Sequence, residues 1–386
     1  MRLRMDDFRQ QARRRLPRFV FDYVDGGAED EHCLRSNADD LAALRLLPNC
    51  LKDTTQIDTT VNVFGQTWAR PLGIAPVGFN GLVRPQGDVL LARAAASQGV
   101  PFVLSTASNE RLETVRAAAP DAVQWMQLYV MSDRAIAEQI VRRAAAAKFD
   151  ALVLTVDVPV SGMRERDLRN GFKLPFRPGL GTLWDLASHP AWSLGMAFSG
   201  SPSFVNLSDS TDAAASAQVQ AALLARAMDR SLVWDSLAWL RQLWSGPLLL
   251  KGVLHRQDAA RAVNAGVDGI VVSNHGGRQL DAAPSTISVL QGVVDAVDDK
   301  IPVFVDSGFR RGSDVLKALS LGARSVFVGR PAVWGLAANG EAGARDALAL
   351  IGSEIERTLA LLGASSVRGL SAANVTRSWL SERQVA

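Results

Sequence analysis

The feature that most limits how this chain can fold is a set of eight short, continuously apolar runs. They are PLGIAPVG (71–78), FVLST (102–106), VQWMQLY (123–129), ALVLTVD (151–157), LLLKG (248–252), GIVVSN (269–274), VFVDSG (303–308) and SVFVG (325–329). Runs that are apolar at every position suit strands covered on both faces, as in parallel sheets. Their starts lie 31, 21, 28, 97, 21, 34 and 22 residues apart, and every interval but the fourth matches one strand–helix unit. Ala-, Arg- and Leu-rich stretches such as DVLLARAAASQG and DVLKALSLGA fill the intervals and read as helices. Eight such units predict an α/β fold, the (β/α)8 barrel. The rival is an open doubly wound sheet, but no GxGxxG follows any of the runs. The expected barrel covers about residues 71–345 of a single domain, 1–386. In front of it, DDFRQQARRRLPRFVFDYVDGG predicts a helical segment capped at Asp6, interrupted at Pro17 and ended by Gly26 and Gly27.

The long fourth interval predicts an insertion after strand four, at about 177–230. Within it, residues 178–208 carry one charge, Asp185, and four large aromatics, Trp184, Trp192, Phe198 and Phe204. Two readings follow: a lid or inter-subunit packing loop, or a segment lying in a membrane interface, where Trp and Phe settle well. The later stretch AALLARAMDRSLVWDSLAWLRQLW predicts an amphipathic helix pair returning to the barrel. No run of 18 apolar residues exists to span a bilayer, and no apolar run follows the basic N-terminus as in a secretory signal. The expectation is a cytoplasmic protein, with peripheral contact to the inner face of the cell membrane if the second reading holds. A net charge of 42 − 39 = +3 gives no reason to expect a nucleic acid partner. Of the 42 basic residues 36 are arginine, the side chain best matched to carboxylates and phosphates. Cys33 and Cys50 form no CxxC pair, so neither a disulfide framework nor a metal site is expected.

Barrel active sites lie where the strands end. Read at those ends, the runs supply Pro76, Val77 and Gly78, Ser105, Gln127 and Tyr129, Thr155 and Asp157, Lys251, Ser273 and His275, Asp306 through Arg310, and Gly329 with Arg330. Two Gly-Arg turns, Gly308 with Arg310 and Arg311, and Gly329 with Arg330, suit a phosphate after strands seven and eight. Solvated turns with surface arginines are the plainer reading. His275 has Arg278 three residues on, and Asp157 could hold its second nitrogen, fixing the tautomer and raising basicity as a general base requires. Alone, the histidine would more often be structural. Tyr23 and Tyr129 are the only tyrosines, and phenols beside guanidiniums suit a hydroxy acid; core-edge packing is the alternative. Arg164 could face a ligand or pair with Glu165 or Asp167. Lys251 ends an apolar strand, where an ammonium is costly unless it meets an anion.

Taken together, SNHGGRQLD, LTVDVPVSGMRERD, QLYV, LLLKG and DSGFRRGSD resemble the FMN-dependent α-hydroxy acid dehydrogenases and oxidases. The likeness runs from RLPRFVFDYVDGGAEDE to VFVGRP and the helix beyond. Within that family GGAEDE, VLSTASN, MRERDLRN and HPAWSL are most like the mandelate-oxidising members. The resemblance implies that His275, paired with Asp157, removes the substrate proton, while Tyr23, Tyr129, Arg164 and Arg278 hold the substrate. It implies FMN contacts from Pro76, Val77, Gly78, Ser105, Gln127, Thr155 and Ser273, with Lys251 at the flavin N1–C2 edge. Asp306 and Ser307 would reach the ribityl chain, and Gly308, Arg310, Gly329 and Arg330 the phosphate. Ala107 stands where glycolate oxidases carry tryptophan, and with Phe79 and Met163 it implies room for a mandelate-like 2-hydroxy acid. Gly78, alanine in many oxidases, implies a dehydrogenase passing electrons to a quinone-type acceptor. The resemblance also implies a homotetramer. L-Lactate dehydrogenase or oxygen-using oxidase activity is the alternative within the family. A nucleotide-oxidising barrel would need a cysteine nucleophile in a barrel loop, and both cysteines precede the first strand. A flavin-binding scaffold without activity would have no need of His275 and Arg278.

Overall fold

The structure, a computed structural model, describes residues 2–170, 180–200, 202–207 and 228–377. Helix α1 (Met5–Arg15) buries Met5, Phe8 and Ala12 along one face. Its cap is Arg4 rather than the expected Asp6, and the carboxylate that accepts the Leu3 and Arg4 amides belongs to Asp7. Pro17 precedes α2 (Arg18–Asp25), and Gly26 ends that helix as the sequence indicates. After α3 (His32–Ala43) comes β1 (Leu44–Leu46), and β2 (Val61–Val63) and β3 (Gln66–Trp68) then form an antiparallel hairpin.

All eight apolar runs become strands: β4 (Leu72–Ile74), β5 (Phe102–Leu104), β6 (Gln124–Leu128), β7 (Ala151–Thr155), β8 (Leu248–Val253), β9 (Gly269–Val272), β10 (Val303–Val305) and β11 (Ser325–Val328). They pair in chain order and in parallel, and β11 closes back on β4 through Val326↔Leu72 and Val328↔Ile74. The fold is a (β/α)8 barrel. Helices α4 (Asn80–Val83) and α5 (Gly87–Ser97) follow β4; α6 (Leu112–Ala118), α7 (Arg134–Ala146) and α8 (Glu165–Arg169) follow the next three strands. The insertion carries α9 (Leu180–Ser188) and α10 (Pro190–Ser199), and α11 (Ser236–Leu243) leads back into β8. Only this second half of the expected helix pair is helical among the described residues; 208–227 lie outside them, and 229–235 is irregular. The circuit is completed by α12 (Arg256–Asn264), α13 (Thr286–Val297), α14 (Gly312–Ser320) and α15 (Arg330–Leu362), and β12 (Val375–Arg377) pairs with β1.

Strand side chains alternate between the two faces. Val103, Trp125, Val153, Leu249, Val271, Phe304 and Phe327 fill the barrel, and Trp68 of the β2–β3 hairpin plugs its floor, 5.5 Å from the Trp125 ring. Leu104, Met126, Leu154, Leu250, Val272 and Val305 point outward into the layer covered by helices. Period two then has a functional consequence. Two residues beyond each inward apolar side chain lies another inward position, now at the C-terminal mouth. These positions are Ser105, Gln127, Thr155, Lys251, Ser273, Asp306 and Gly329. The packed floor and the polar mouth are successive layers of the same strands.

Candidate active site

A cavity of about 1020 Å3 opens over this mouth, roofed by α2, the insertion and the start of α15. Lys251 is only 4% exposed, and its Nζ donates to Ser273 Oγ at 2.8 Å and lies 3.2 Å from Asp306 Oδ2. The buried ammonium therefore has the anionic partner that its desolvation requires. Beside it, Gln127 donates to Thr155 Oγ1 at 3.0 Å and accepts from Ser105 Oγ at 3.3 Å and the Thr106 amide at 3.0 Å. Gln127, Thr155 and Ser273 are buried just beneath the cavity, whereas Pro76, Val77, Gly78, Ser105 and Lys251 line it.

The expected histidine–carboxylate pair is formed. His275 follows Ser273 by two residues in a turn with left-handed φ of 57°, and its Nδ1 lies 3.0 Å from Asp157 Oδ1. Asp157 can approach only because residue 252 is glycine: a Cβ there would sit 2.6 Å from Asp157 Cβ. Burial pushes the Asp157 carboxyl up, but His275 and Lys251 outweigh it and hold it below its usual value. Its second oxygen is buried with no hydrogen-bond partner among the described residues. On the other side of the imidazole, Nε2 faces the cavity, 3.3 Å from Tyr129 Oη. Burial, and then the Asp157 charge, push the Tyr129 phenol up, so it stays protonated at neutral pH.

Arg278 donates through Nη1 to the Tyr23 and Gly26 carbonyls at 2.7 and 2.9 Å, and its guanidinium lies 5.1 Å from the Tyr23 ring centroid. Its Nε and Nη2 have no hydrogen-bond partner among the described residues. Tyr23 Oη donates to the Gly78 carbonyl at 3.2 Å. Arg164 pairs with Asp167, its Nε 3.6 Å from the carboxylate, and it also borders the cavity. Asp167 itself, buried between the two arginines, was not expected as a cavity residue; burial raises its carboxyl although Arg278 and Arg164 oppose that. Its signal was its place three residues after Arg164 in MRERD.

At the opposite end, Ser307 and Gly308 have φ of 79° and 91° and turn their backbone toward the cavity. Arg310 lies 5.4 Å from the Trp334 ring centroid, and its guanidinium has no hydrogen-bond or ion-pair partner among the described residues. Arg311, expected beside it, instead turns outward to Glu354. Arg330 donates to the carbonyls of Val24, Gly276 and Gly26 at 3.1, 2.9 and 2.8 Å, and two of its five N–H groups have no partner among the described residues. Burial, and then Arg278, push it down to about 9. A half-buried guanidinium with no hydrogen-bond or ion-pair partner among the described residues, beside left-handed backbone, is a donor set that fits a phosphate. Phe19, Leu82, Trp192, Met196 and Phe204 complete an apolar outer wall that only the folded insertion assembles.

A closed barrel with a buried lysine on one side, a histidine–aspartate pair above it and an anion cradle after strands seven and eight is the architecture of a flavin-dependent oxidoreductase. The FMN-dependent dehydrogenase family profile matches residues 12–377. The chain is 45% identical to (S)-mandelate dehydrogenase of Pseudomonas putida over 95% of its length and 92% of that protein. It is 43% identical to L-lactate dehydrogenase of Caulobacter vibrioides over 95% of both chains. A crystal structure of the monotopic membrane protein (S)-mandelate dehydrogenase superposes with a TM-score of 0.94 at 43% identity, covering 98% of this chain and 100% of that one. This chain therefore belongs to the FMN-dependent dehydrogenase family, and its cofactor is FMN.

Proposed function

We propose that the protein oxidises an (S)-2-hydroxy acid with an aromatic side chain, mandelate or a close analogue, to the 2-oxo acid and passes the electrons to a quinone-type acceptor. The observation that carries the oxidation is His275 Nε2 facing the cavity while Nδ1 is held by Asp157. The hydroxyl or α-carbon proton of a substrate above Lys251 goes to Nε2, and Asp157 stabilises the imidazolium that results. Arg278, through Nε and Nη2, and Arg164 take the substrate carboxylate, with Tyr23 and Tyr129 bordering the same space. When bound, FMN would supply the two-electron acceptor, taking the α-hydrogen with the electrons where Nε2 takes the hydroxyl proton; where Nε2 takes the α-hydrogen as a proton, the hydroxyl proton would follow the electrons to the flavin or to solvent. Lys251 places a fixed positive charge where negative charge then develops. Asp306 and Ser307 suit the ribityl hydroxyls, and Arg310, Arg330, Gly308 and Gly329 the phosphate.

Two observations favour a large side chain: Ala107 lines the cavity next to Gly78, and Phe79, Phe204 and Met163 border the space above it. Contact with a bilayer rests on the insertion, where Trp184 is 79% and Phe198 88% exposed. No helix among the described residues is long and apolar enough to cross a membrane. The four insertion aromatics do not act alike: Trp192 donates to the Leu82 carbonyl and Phe204 packs on Phe79, so only Trp184 and Phe198 face outward. Anaerobic addition of (S)-mandelate and, separately, (S)-lactate to the yellow protein tests the reading. Bleaching faster with mandelate supports it; faster bleaching with lactate selects the lactate alternative, and rapid re-oxidation by air would argue against a quinone acceptor.

A further inference from the structure

A fully buried carboxylate that the chemistry above does not use lies behind the cavity wall. Asp88, in the first turn of α5, is 0% exposed. Its Oδ1 accepts from Asn80 Nδ2 at 2.7 Å and its Oδ2 from Ser108 Oγ at 2.7 Å. Burial alone pushes this carboxyl up, against the hydrogen bonds from Ser108, Asn80 and the Asn109 amide that oppose it. A carboxylate in such a place is costly unless its hydrogen bonds hold something together.

What they hold are the turns after β4 and β5. Asn80 Nδ2 spends its second hydrogen on the Val77 carbonyl at 2.8 Å, closing the turn that carries Gly78 and Phe79, while Asn80 Oδ1 is left buried without a partner. Ser108 Oγ accepts the Glu110 amide at 3.0 Å and so closes the turn that directly follows Ala107, while the Ser108 amide donates to the Ser105 carbonyl at 3.1 Å across Ala107. The two turns touch directly. The Phe79 amide donates to the Ala107 carbonyl at 2.9 Å, and a Cβ on Gly78 would sit 2.9 Å from that of Ala107. Between them Phe79 is held at φ of 66°, a left-handed conformation that a bulky aromatic adopts only where its surroundings enforce it. The same cluster reaches the insertion. Asn109 accepts the Gly81 amide at 2.9 Å and donates to the Ser203 carbonyl at 2.9 Å, next to Phe204, whose ring centroid is 5.0 Å from that of Phe79.

We infer that Asp88 is a positioning residue for side-chain selection: by clamping the turns after β4 and β5 through Asn80 and Ser108, it fixes Phe79 against Phe204 as the wall on which the substrate's aromatic side chain rests. The inference rests on the proposed aromatic 2-hydroxy acid as substrate. Asp88 touches no reacting atom, so its removal chiefly changes how well a large side chain is seated and leaves the His275–Asp157 pair and the two arginines of the carboxylate site in place.

Asp88→Asn keeps the shape and replaces one of the two oxygens that Asn80 and Ser108 donate to with an amide group that cannot accept. Steady-state rates with an artificial dye acceptor are measured for (S)-mandelate and (S)-lactate, together with FMN content and the flavin difference spectrum on titration with phenylacetate, which lacks the hydroxyl. The expected result is a KM for mandelate and a Kd for phenylacetate raised about tenfold, the loss of roughly one buried hydrogen bond. Over the same comparison kcat, FMN content and the KM for lactate change less than threefold. Ser108→Ala gives the same pattern more weakly, and it decides the question by the same criteria if Asp88→Asn does not fold. Parallel changes for both acids, a fall confined to kcat, or no change at all overturns the inference. A wild type with no preference for mandelate overturns the substrate reading and this inference together. A wild-type preference that survives both substitutions overturns this inference alone.

Discussion

Replacing Asp157 with asparagine tests the proton-accepting role of His275 most sharply, because the change keeps shape and removes one charge. Asp157 Oδ1 sits 3.0 Å from His275 Nδ1, which puts the two charge centres about 4 Å apart once the imidazole is protonated. At the effective dielectric constant of about 20 that suits protein interiors, such a pair is worth about 4 kcal/mol. The asparagine carbonyl can still accept from Nδ1, which returns about 1 kcal/mol. The remaining 3 kcal/mol or so falls wholly on the protonated state, so flavin reduction should slow about 100-fold, at about 1.4 kcal/mol per decade. The assay is anaerobic stopped-flow reduction of the bound flavin at saturating substrate. Bound FMN and the Kd for an unreactive substrate analogue serve as controls, and both should stay near wild type. A reduction rate within threefold of wild type would show that His275 does not gain a proton in the step being measured. A larger loss accompanied by loss of FMN would place Asp157 in holding the cofactor instead.

Arg310→Met removes the guanidinium that has no hydrogen-bond or ion-pair partner among the described residues and should weaken FMN binding about 10- to 100-fold, the value of a charge-assisted hydrogen bond, with reduction of whatever flavin stays bound unchanged; fluorescence of released flavin on dilution reports it, and undiminished retention would remove Arg310 from the phosphate site. Substituting Trp184 and Phe198 together by serine should move the protein from the membrane to the supernatant fraction on centrifugation while leaving the reduction rate intact, whereas a wild type already in the supernatant would end the interfacial reading. Asp229 is held below the usual carboxylate value of 3.8, chiefly by the Ser231 hydroxyl and also by Arg134. A depressed folded-state value stabilises above 3.8 and is lost as pH falls through it, so the wild type's advantage in Tm over Asp229→Asn should be full at pH 5 to 7 and vanish in stronger acid. An advantage independent of pH would mean that the ion pair and caps at Asp229 contribute nothing through its charge.

The sequence by itself determined the barrel and its register. Apolar runs repeated at the length of one strand–helix unit leave few other ways to bury them, and period two then forces Gln127, Thr155, Lys251, Ser273 and Asp306 to the inner face one layer above Trp125, Val153, Leu249, Val271 and Phe304. Types and spacing also put His275 and Asp157 within reach of each other, because strand ends at one mouth converge. What the sequence could not carry was any choice settled by a distant neighbour. Two arginines adjacent in the chain, Arg310 and Arg311, go to opposite destinies because Glu354 of α15 waits for one and the cavity for the other. The cap of α1 moved from Asp6 to a bond pattern centred on Asp7, a difference of one residue that rests on local backbone geometry. The insertion's four aromatics share a composition, yet Trp192 and Phe204 were drawn inward by Leu82 and Phe79 while Trp184 and Phe198 were left facing out. Asp88 looked like an ordinary first-turn acid in a helix. Only packing against Asn80 and Ser108, the latter 20 residues on, shows it to be buried, because burial is set by which surfaces meet and not by the residues that precede and follow in the chain.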